Sequence, residues 1–327
     1  VIFENTPYIK SYASIAGKKE GEGPLGKFFD LIETDEYFGQ KSFEAGESEM
    51  LKRTVNLAFS KCGKVPSDAD VLFSGDLLNQ CVSSIYAIRD LNVPYIGIYG
   101  ACSTMAEGLM LSSMAVASGF AHLSANSTSS HFCCAERQFR FPLEYGSQRP
   151  PTAQWTSTAS GCIVLSNEKT ALKITSATVG KIVDKDIKDA ANMGSAMAPA
   201  FADTVKMHLT DLSLTPDYYD LIISGDLGTL GSALSDELLL RDGIDIRNNH
   251  FDCGCEIYDL EKQDVHAGGS GCGCSASVLC GYILPKLESG ELKRVLFGAT
   301  GALMSPELSK QGESIPGISH AVAIERA

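Results

Sequence analysis

The chain repeats part of its own sequence at a constant spacing. Ser74-Gly75-Asp76-Leu77 recurs as Ser224-Gly225-Asp226-Leu227, and Thr54-Val55 recurs at the same spacing as Thr204-Val205. One matching tetrapeptide can arise by chance, whereas a further match upstream in the same register indicates an internal duplication. The sequence therefore predicts two homologous halves, residues 1–168 and residues 169–327.

Each copy of the repeat shows the same order of local patterns. A helical stretch is followed by a proline-containing loop, an apolar run (71–73 or 221–223) and a Gly-Asp-Leu turn. Similar β-branched runs alternate with helical stretches elsewhere in the chain, and this alternation is typical of α/β layering. We therefore expect an α/β fold built from two βαβ-rich halves.

Composition excludes several classes of protein. With 44% hydrophobic and 20% charged residues, the 327-residue chain is expected to fold rather than remain disordered. Its net charge of −13 disfavours nucleic-acid binding, because phosphate backbones repel an acidic surface. No apolar run reaches the roughly 18 residues of a membrane span, and no signal segment is found. The 11 cysteines, an odd number without a secretion signal, favour a reducing, intracellular setting.

Two Cys-x-Cys pairs raise the question of a metal site. The pairs are Cys253/Cys255 and Cys272/Cys274, and four thiolates can hold zinc. The spacing lacks a zinc-knuckle pattern, and cysteines between glycines also serve as small buried hydrophobes. We expect no bound metal and no resident cofactor.

Two glycine-rich turns lead into stretches of small apolar residues. Gly100-Ala101-Cys102-Ser103-Thr104 opens the first and Gly271-Cys272-Gly273-Cys274-Ser275 opens the second. The stretch from 103 to 118 carries Glu107 as its one charged residue, so we predict a helix that is buried all round. A thiol at a helix N-terminus is expected to have a lowered pKa, beside backbone N–H groups that can hold an anion.

Two βαβ-rich halves with a cysteine at the start of a buried central helix resemble the thiolase-like superfamily of condensing enzymes, which includes the ketoacyl synthases. The resemblance implies a thiolase-like fold with layers in the order α-β-α-β-α. Gly100–Thr104 looks like the nucleophile turn of that superfamily.

Nearly the whole chain also resembles the stage V sporulation protein AD family of spore-forming bacteria. The segments that carry this resemblance are Gly23–Gly26, Gly75–Gln80, Gly100–Thr104, Ser129–His131, Ala135–Arg140, Glu144–Gly146, Met193–Ala200, Ala202–Thr204, Ala267–Cys272, Ala299–Leu303 and Ser305-Pro306. Together these motifs are highly specific.

The family resemblance implies a function. Members bind dipicolinic acid, which is pyridine-2,6-dicarboxylate, and take part in moving it with calcium into the developing spore, without demonstrated catalysis. Implied partners are other stage V sporulation proteins, some of them membrane-embedded. The implied location is the developing spore, peripheral at its inner membrane through protein partners. Relatives of the fold usually dimerise, so a homodimer is expected by analogy.

The residues around Cys102 bear on whether catalysis survives. A condensing enzyme needs two further groups, usually His with Asn or a second His, to activate the thioester and stabilise the enolate. The second central strand runs into Ser224–Leu227 without a histidine, and the polar loop 267–271 contains no asparagine. His266 lies beside that loop, but we do not interpret it as a substitute for the missing catalytic histidine. Cys102 is therefore interpreted as a vestigial nucleophile.

Seven residues are the candidate ligand-binding set. They are Asp76, Asn79, Cys102, His131, Arg137, Asp226 and Ser270. A guanidinium matches a carboxylate bidentately. Nevertheless, Arg137 is equally compatible with an ion-pair network, the role favoured for Arg140 beside Glu136 and Glu144.

The other candidates also keep two interpretations. His131 is either a core histidine or a donor to a carboxylate, and the paired aspartates either cap their turns or coordinate a calcium-bound ligand. Met193–Ala200 is expected to be a flexible lid or an ordinary loop.

Two hypotheses about function follow. In the first, the chain is a non-catalytic protein that binds dipicolinate or its calcium complex, with helix N-termini near Cys102 and Cys272 directed at the carboxylates. In the second, it is an active acyltransferase or condensing enzyme with Cys102 as the acyl-accepting nucleophile. A purely structural role in a membrane complex is compatible with the sequence as well.

Overall fold

The computed structural model describes residues 1–139 and 148–327, so Arg140 and Glu144 lie outside the described residues. Most strands belong to one large mixed sheet, and two short strands form a separate pair. The strands are β1 (Tyr8–Gly17), β2 (Leu31–Glu33), β3 (Val71–Gly75), β4 (Tyr95–Gly97), β5 (Leu123–Ser130), β6 (Trp155–Thr156), β7 (Ala159–Ser166), β8 (Leu172–Thr178), β9 (Leu221–Ser224), β10 (His250–Asp252), β11 (Gly269–Ser270), β12 (Arg294–Ala302) and β13 (Gly317–Arg326).

Helices connect and cover these strands. They are α1 (Lys18–Gly21), α2 (Phe43–Lys61), α3 (Val82–Ile88), α4 (Thr104–Ala117), α5 (Phe132–Phe139), α6 (Met193–Leu212), α7 (Gly228–Arg241), α8 (Cys253–Glu256), α9 (Cys272–Val278), α10 (Leu284–Ser289) and α11 (Pro306–Lys310). A π-helical turn at Leu279–Ile283 joins α9 to α10. The predicted α/β fold is confirmed, and the predicted central helix forms within one residue of its expected ends.

The same strand order occurs twice in the large sheet. One part runs β4-β3-β5-β7-β1 and the other runs β10-β9-β12-β13-β8. In both parts the first three strands are parallel and the next two pairings are antiparallel. Short pairing between β1 and β8 joins the two parts. The domain boundary at 168/169 falls in the connection before β8 and stays a prediction.

Helices lie on both faces of the sheet and between its two parts. α4 contacts β3 and β5 as well as β12 and β13, and α9 contacts β1, β5 and β7. α2 packs on β1, β5 and β7, whereas α6 packs on β8, β12 and β13. β5 and β7 are buried along their whole length, as expected for strands that are covered on both faces. The result is the layered arrangement that the resemblance implies.

Glycine permits the close approach of α9 to its sheet. A Cβ atom on Gly161 of β7 would lie 2.6 Å from the carbonyl oxygen of Ala276, and one on Gly273 would lie 2.1 Å from that of Ala159. Both distances are shorter than any real contact of a Cβ atom. The small residues of the second glycine-rich turn therefore bring the helix backbone directly against β7.

The segment Met193–Ala200 corrects an expectation. It is neither a lid nor a loop, because it forms the first two turns of α6. The Asn192 side chain accepts a hydrogen bond from the Ser195 backbone N–H at 3.3 Å and so caps the helix. The small residues serve close packing, since a Cβ atom on Gly194 would lie 2.6 Å from the Leu227 carbonyl oxygen. Within the described residues, no helix is both long and apolar enough to cross a bilayer.

Candidate active site

Cys102 lies in a tight turn between β4 and α4. Ala101 has a φ of 51°, a left-handed conformation that a non-glycine residue rarely adopts. The turn is fixed locally, because the Ser103 hydroxyl donates to the Gly100 carbonyl at 2.7 Å and the Thr104 hydroxyl donates to the Ala101 carbonyl at 2.6 Å. The Cys102 side chain is thereby held at the entry of the central helix, where it is 9% exposed.

The thiol faces a narrow, mainly apolar cavity. The space open to the centres of water-sized spheres is about 50 Å³. Its lining residues are Leu77, Tyr99, Ala101, Cys102, Ala135, Phe139, Thr156, Met193, Ser270, Ala302 and Met304. Elements of both sequence halves therefore build this cavity, with α5, α6 and the β6–β11 pair among them.

A buried carboxylate lies beside the thiol. Asp226 accepts hydrogen bonds from the Ser270 hydroxyl at 3.1 Å, the Gly271 N–H at 2.8 Å and the Thr300 hydroxyl at 3.0 Å. The Cys102 sulfur lies 3.9 Å from the Ser270 hydroxyl oxygen and so adjoins the same cluster. Burial raises the pKa of Asp226 to about 6, so the carboxyl is largely ionised at neutral pH.

The expectation that the pKa of the Cys102 thiol is lowered is wrong. Burial raises the pKa of the thiol well above its ordinary value, and the Asp226 charge raises it further. The Ser270 hydroxyl lowers the pKa of the thiol, but less than burial and the Asp226 charge raise it. The sulfur is therefore held as a neutral thiol.

The histidines of the chain have other partners. All six lie in the described residues: His122, His131, His208, His250, His266 and His320. His208 bonds to Thr178 and Tyr219, and His250 bonds to Ser224 and Asp236. Within the part of the chain that the structure describes, the Cys102 sulfur contacts the Ser270 hydroxyl rather than an imidazole, and the Asp226 charge is close enough to raise the pKa of the thiol. A condensing enzyme is expected to carry a histidine after the strand that corresponds to β9. In this chain, Asp226 follows the end of that strand.

Asp76 and Asn79 lie near the cavity without lining it. Asp76 accepts hydrogen bonds from the backbone N–H groups of Leu78 at 2.8 Å and Ser84 at 2.7 Å, which caps the turn after β3. Asn79 exchanges hydrogen bonds with the Gln138 side chain. It lines an outer groove of about 350 Å³ that adjoins the cavity.

His131 and Arg137 lie outside both the cavity and the groove. The Nε2 atom of His131 lies 2.9 Å from the Glu36 carbonyl and donates to it, while Nδ1 accepts from the Cys133 N–H. Burial lowers the pKa of His131, which agrees with a neutral ring. Arg137 pairs with Glu44 at 3.0 Å, and its side chain is 48% exposed. The structure brings together Cys102, Asp226 and Ser270 but not these two cations.

Sequence reasoning missed most of the apolar wall. Leu77 and Phe139 lie within motifs that were singled out, and Tyr99 adjoins another, so their positions carried a signal. Met304 resembles an ordinary core residue in the sequence. Met193 lies in the segment expected to cover a pocket and does line the cavity, but from a helix.

Comparisons with known proteins agree with this geometry. The family described as stage V sporulation protein AD matches residues 1–325. Stage V sporulation protein AD of Bacillus subtilis (strain 168) is 47% identical over 326 residues, covering 100% of this chain and 96% of that protein.

Solved structures of condensing enzymes share the fold. The 3-oxoacyl-[acyl-carrier-protein] synthase III from Aquifex aeolicus VF5 is similar with a TM-score of 0.61 and 11% identity, over 98% of this chain and 99% of that one. OleA from Xanthomonas campestris gives a TM-score of 0.61 and 12% identity, over 99% of both chains. At such identities the likeness establishes the thiolase-like fold alone. Sequence and fold together show that the chain belongs to the stage V sporulation protein AD family.

Proposed function

We propose that the chain is a non-catalytic, thiolase-like protein of sporulation that binds dipicolinic acid, or its calcium complex, in the cavity beside Cys102. In this role it supports uptake of the ligand into the developing spore. The observation that carries the proposal is the environment of the sulfur, where a carboxylate and a hydroxyl are found instead of the imidazole and amide groups that a condensing enzyme uses.

The electrostatics of the site argue against acyl transfer. A nucleophilic cysteine must form a thiolate, but burial and the neighbouring Asp226 charge both oppose a second negative charge. An oxyanion beside Asp226 would meet the same repulsion. The family's sporulation name also directs the proposal away from metabolism.

The cavity walls suit a flat aromatic ring with polar groups at its edge. Leu77 and Phe139 offer apolar surface, while Thr156 and Tyr99 carry hydroxyls that can donate to a carboxylate of the ligand. No basic side chain is among the described lining residues, and Asp226 repels a free dianion. Calcium is therefore a reasonable companion of the ligand, since carboxylate and hydroxyl oxygens are the donors it prefers.

Calorimetry with dipicolinate, with and without calcium, tests this function. We expect saturable binding that survives Cys102→Ser and weakens about tenfold in Ser270→Ala, because that change removes a polar group from the cavity wall together with its hydrogen bond to Asp226. Arg137→Ala is the matched control outside the cavity and should bind like the wild type. Absence of saturable binding in both conditions would refute the proposal.

Acyl transfer is the alternative, and the retained turn around Cys102 is the observation that favours it. Incubation with acyl-CoA followed by mass spectrometry of the intact chain separates the two hypotheses. An acyl adduct on Cys102 that is lost in Cys102→Ser, together with release of a condensed product, would establish an enzyme.

For assembly, we propose a homodimer formed through the exposed edge strand β4. Ile96 on this strand and Ile85 on the neighbouring α3 are 44% and 43% exposed, which supports an apolar contact surface. Attachment at the spore inner membrane is proposed to occur through other stage V sporulation proteins, including membrane-embedded ones. Equilibrium sedimentation of Ile96→Glu against the wild type tests the dimer.

A further inference from the structure

The cavity beside Cys102 and the outer groove share two walls. Tyr99 and Met304 line both spaces, whereas Cys102 and Ser270 line the cavity alone. The groove offers about 350 Å³ to the centres of water-sized spheres and the cavity about 50 Å³. Tyr99 and Met304 therefore lie between the groove and the cavity that the thiol lines.

The cavity is too small for the proposed ligand in its present shape. One water molecule needs about 10–15 Å³ by this measure, so the space admits only a few waters. A pyridine ring with two carboxylates requires more room. Some lining side chains must therefore move before such a ligand reaches Cys102.

The far wall of the cavity is held in place. Thr156 and Ser270 belong to β6 and β11, which pair with each other. Ser270 also donates a hydrogen bond to Asp226, and the Ser103 and Thr104 hydroxyls hold the turn that carries Cys102. These hydrogen bonds restrict the movement of the far wall.

The near wall is built differently. Tyr99 lies outside any helix or strand, between β4 and the Cys102 turn, and is 41% exposed. Met304 follows the end of β12, and its backbone N–H donates to Ala302 at 2.8 Å in a tight turn. A methionine side chain has three rotatable bonds and repacks readily. Tyr99 is thus partly exposed, whereas Met304 is only 7% exposed and belongs to a core cluster but has a flexible side chain. Rotation of these two side chains would connect the two spaces.

We infer that Tyr99 and Met304 form a side-chain gate between the outer groove and the Cys102 cavity, and that this gate sets the size of molecule that reaches the thiol. The ligand it admits rests on the proposed function and is a planar aromatic dicarboxylate. The gate itself follows from the shared walls and the size of the cavity. Opening needs rotation of these two side chains and no movement of the sheet.

Alkylation of Cys102 tests the gate without the ligand. Iodoacetamide and the bulkier fluorescein-5-maleimide are compared on the full chain, and Cys102 is followed by peptide mass spectrometry. In Met304→Ala and Tyr99→Ala, we expect the rate with the maleimide to rise about tenfold, equivalent to about 1.4 kcal/mol of opening barrier, and the rate with iodoacetamide to change little. Matched controls are Met114→Ala and Tyr37→Ala, which remove exposed side chains outside both spaces.

Stopped-flow binding of dipicolinate separates the gate from the function. An open gate should raise the association and dissociation rates together in Met304→Ala and leave the Kd within about threefold. Unchanged maleimide rates in both gate variants would overturn the gate, even if dipicolinate binds. A wild type that never binds dipicolinate, yet shows the alkylation pattern, would overturn the function and keep the gate. Tyr99→Phe retains the ring and should alkylate like the wild type, which guards against a folding defect.

Discussion

The two aspartates of the internal repeat end equivalent strands but do different things. Asp76 follows β3 and accepts hydrogen bonds from Leu78 and Ser84 of its own turn. Asp226 follows β9 and accepts from Ser270, Gly271 and Thr300 on other segments, next to Cys102. One aspartate holds a turn and the other faces the candidate site, although the local sequence is the same.

A third carboxylate explains the difference. Asp252 on β10 accepts the backbone N–H groups of Leu227 at 2.8 Å and Gly228 at 3.0 Å, so it holds the turn after β9. Asp252 pairs with Ser224 in the sheet, and the equivalent partner of Ser74 is Gly97, which has no side chain. The edge strand of the second half thus supplies a carboxylate that holds the turn after β9, whereas the equivalent position of the first half is a glycine.

The two environments also differ in charge. Asp76 lies beside Glu47, a buried carboxyl from α2 that accepts from the Ser129 hydroxyl at 2.9 Å. Burial raises the pKa of Glu47 to about 8, and the Asp76 charge adds to this rise. In the first half, Asp76 therefore lies next to the neutral carboxylic acid of Glu47. In the second half, the neighbours of Asp226 are hydrogen-bond donors and the Cys102 thiol.

Removal of Asp252 should have the largest effect. In Asp252→Ala, the N–H groups of Leu227, Gly228 and Cys255 lose their acceptor. We expect the free energy of unfolding to fall by about 3 kcal/mol or more, because buried donors without partners cost about 1–3 kcal/mol each. Urea unfolding measures this loss, with exposed Asp242→Ala as the control. A loss below about 1 kcal/mol would contradict the role of Asp252.

The pH dependence of stability comes next and tests the acid beside Asp76. The folded-state pKa of Glu47 is raised to about 8, so the folded chain holds a proton that the unfolded chain has released. This contribution is fully present below the ordinary glutamate pKa and is lost as the pH rises through about 8. Between pH 5 and about 8.5, we expect the urea midpoint of the wild type to fall more than that of Glu47→Gln. Parallel curves for the two proteins would refute the buried acid.

Neutralising the two aspartates should separate their influence on the thiol. Asp226→Asn removes the charge beside Cys102, which lowers the pKa of the thiol, while burial still keeps it high. We expect iodoacetamide to alkylate Cys102 up to about tenfold faster at neutral pH, the effect of one pKa unit. Asp76→Asn is the matched control and should leave this rate unchanged. If Asp226→Asn and Asp76→Asn accelerate the alkylation of Cys102 equally, the claim that only Asp226 acts on the thiol is wrong.

The sequence was sufficient for the architecture but only partly for the site. The duplication and the buried helix at 104–117 were predicted because apolar periodicity and repeated motifs are local signals. The residues after β9 led us to expect no imidazole beside Cys102, and the contact that the structure shows for its sulfur is the Ser270 hydroxyl. The pKa of Cys102 was mispredicted because burial and Asp226 act through tertiary structure. Positions of His131 and Arg137 relative to the cavity depend on packing of α5 against residues 36–44, which no motif encodes.

The smallest effect compares two equivalent hydroxyl donors. Ser84 donates to Asp76 and Ser270 donates to Asp226. Each alanine variant should lose about 1 kcal/mol of unfolding free energy, the net contribution of one hydrogen bond, as measured by urea unfolding. Only Ser270→Ala should weaken dipicolinate binding, because Ser84 does not line the cavity. If Ser84→Ala weakens binding equally, Asp76 also influences the ligand site. The proposed difference between Asp76 and Asp226 would then be wrong.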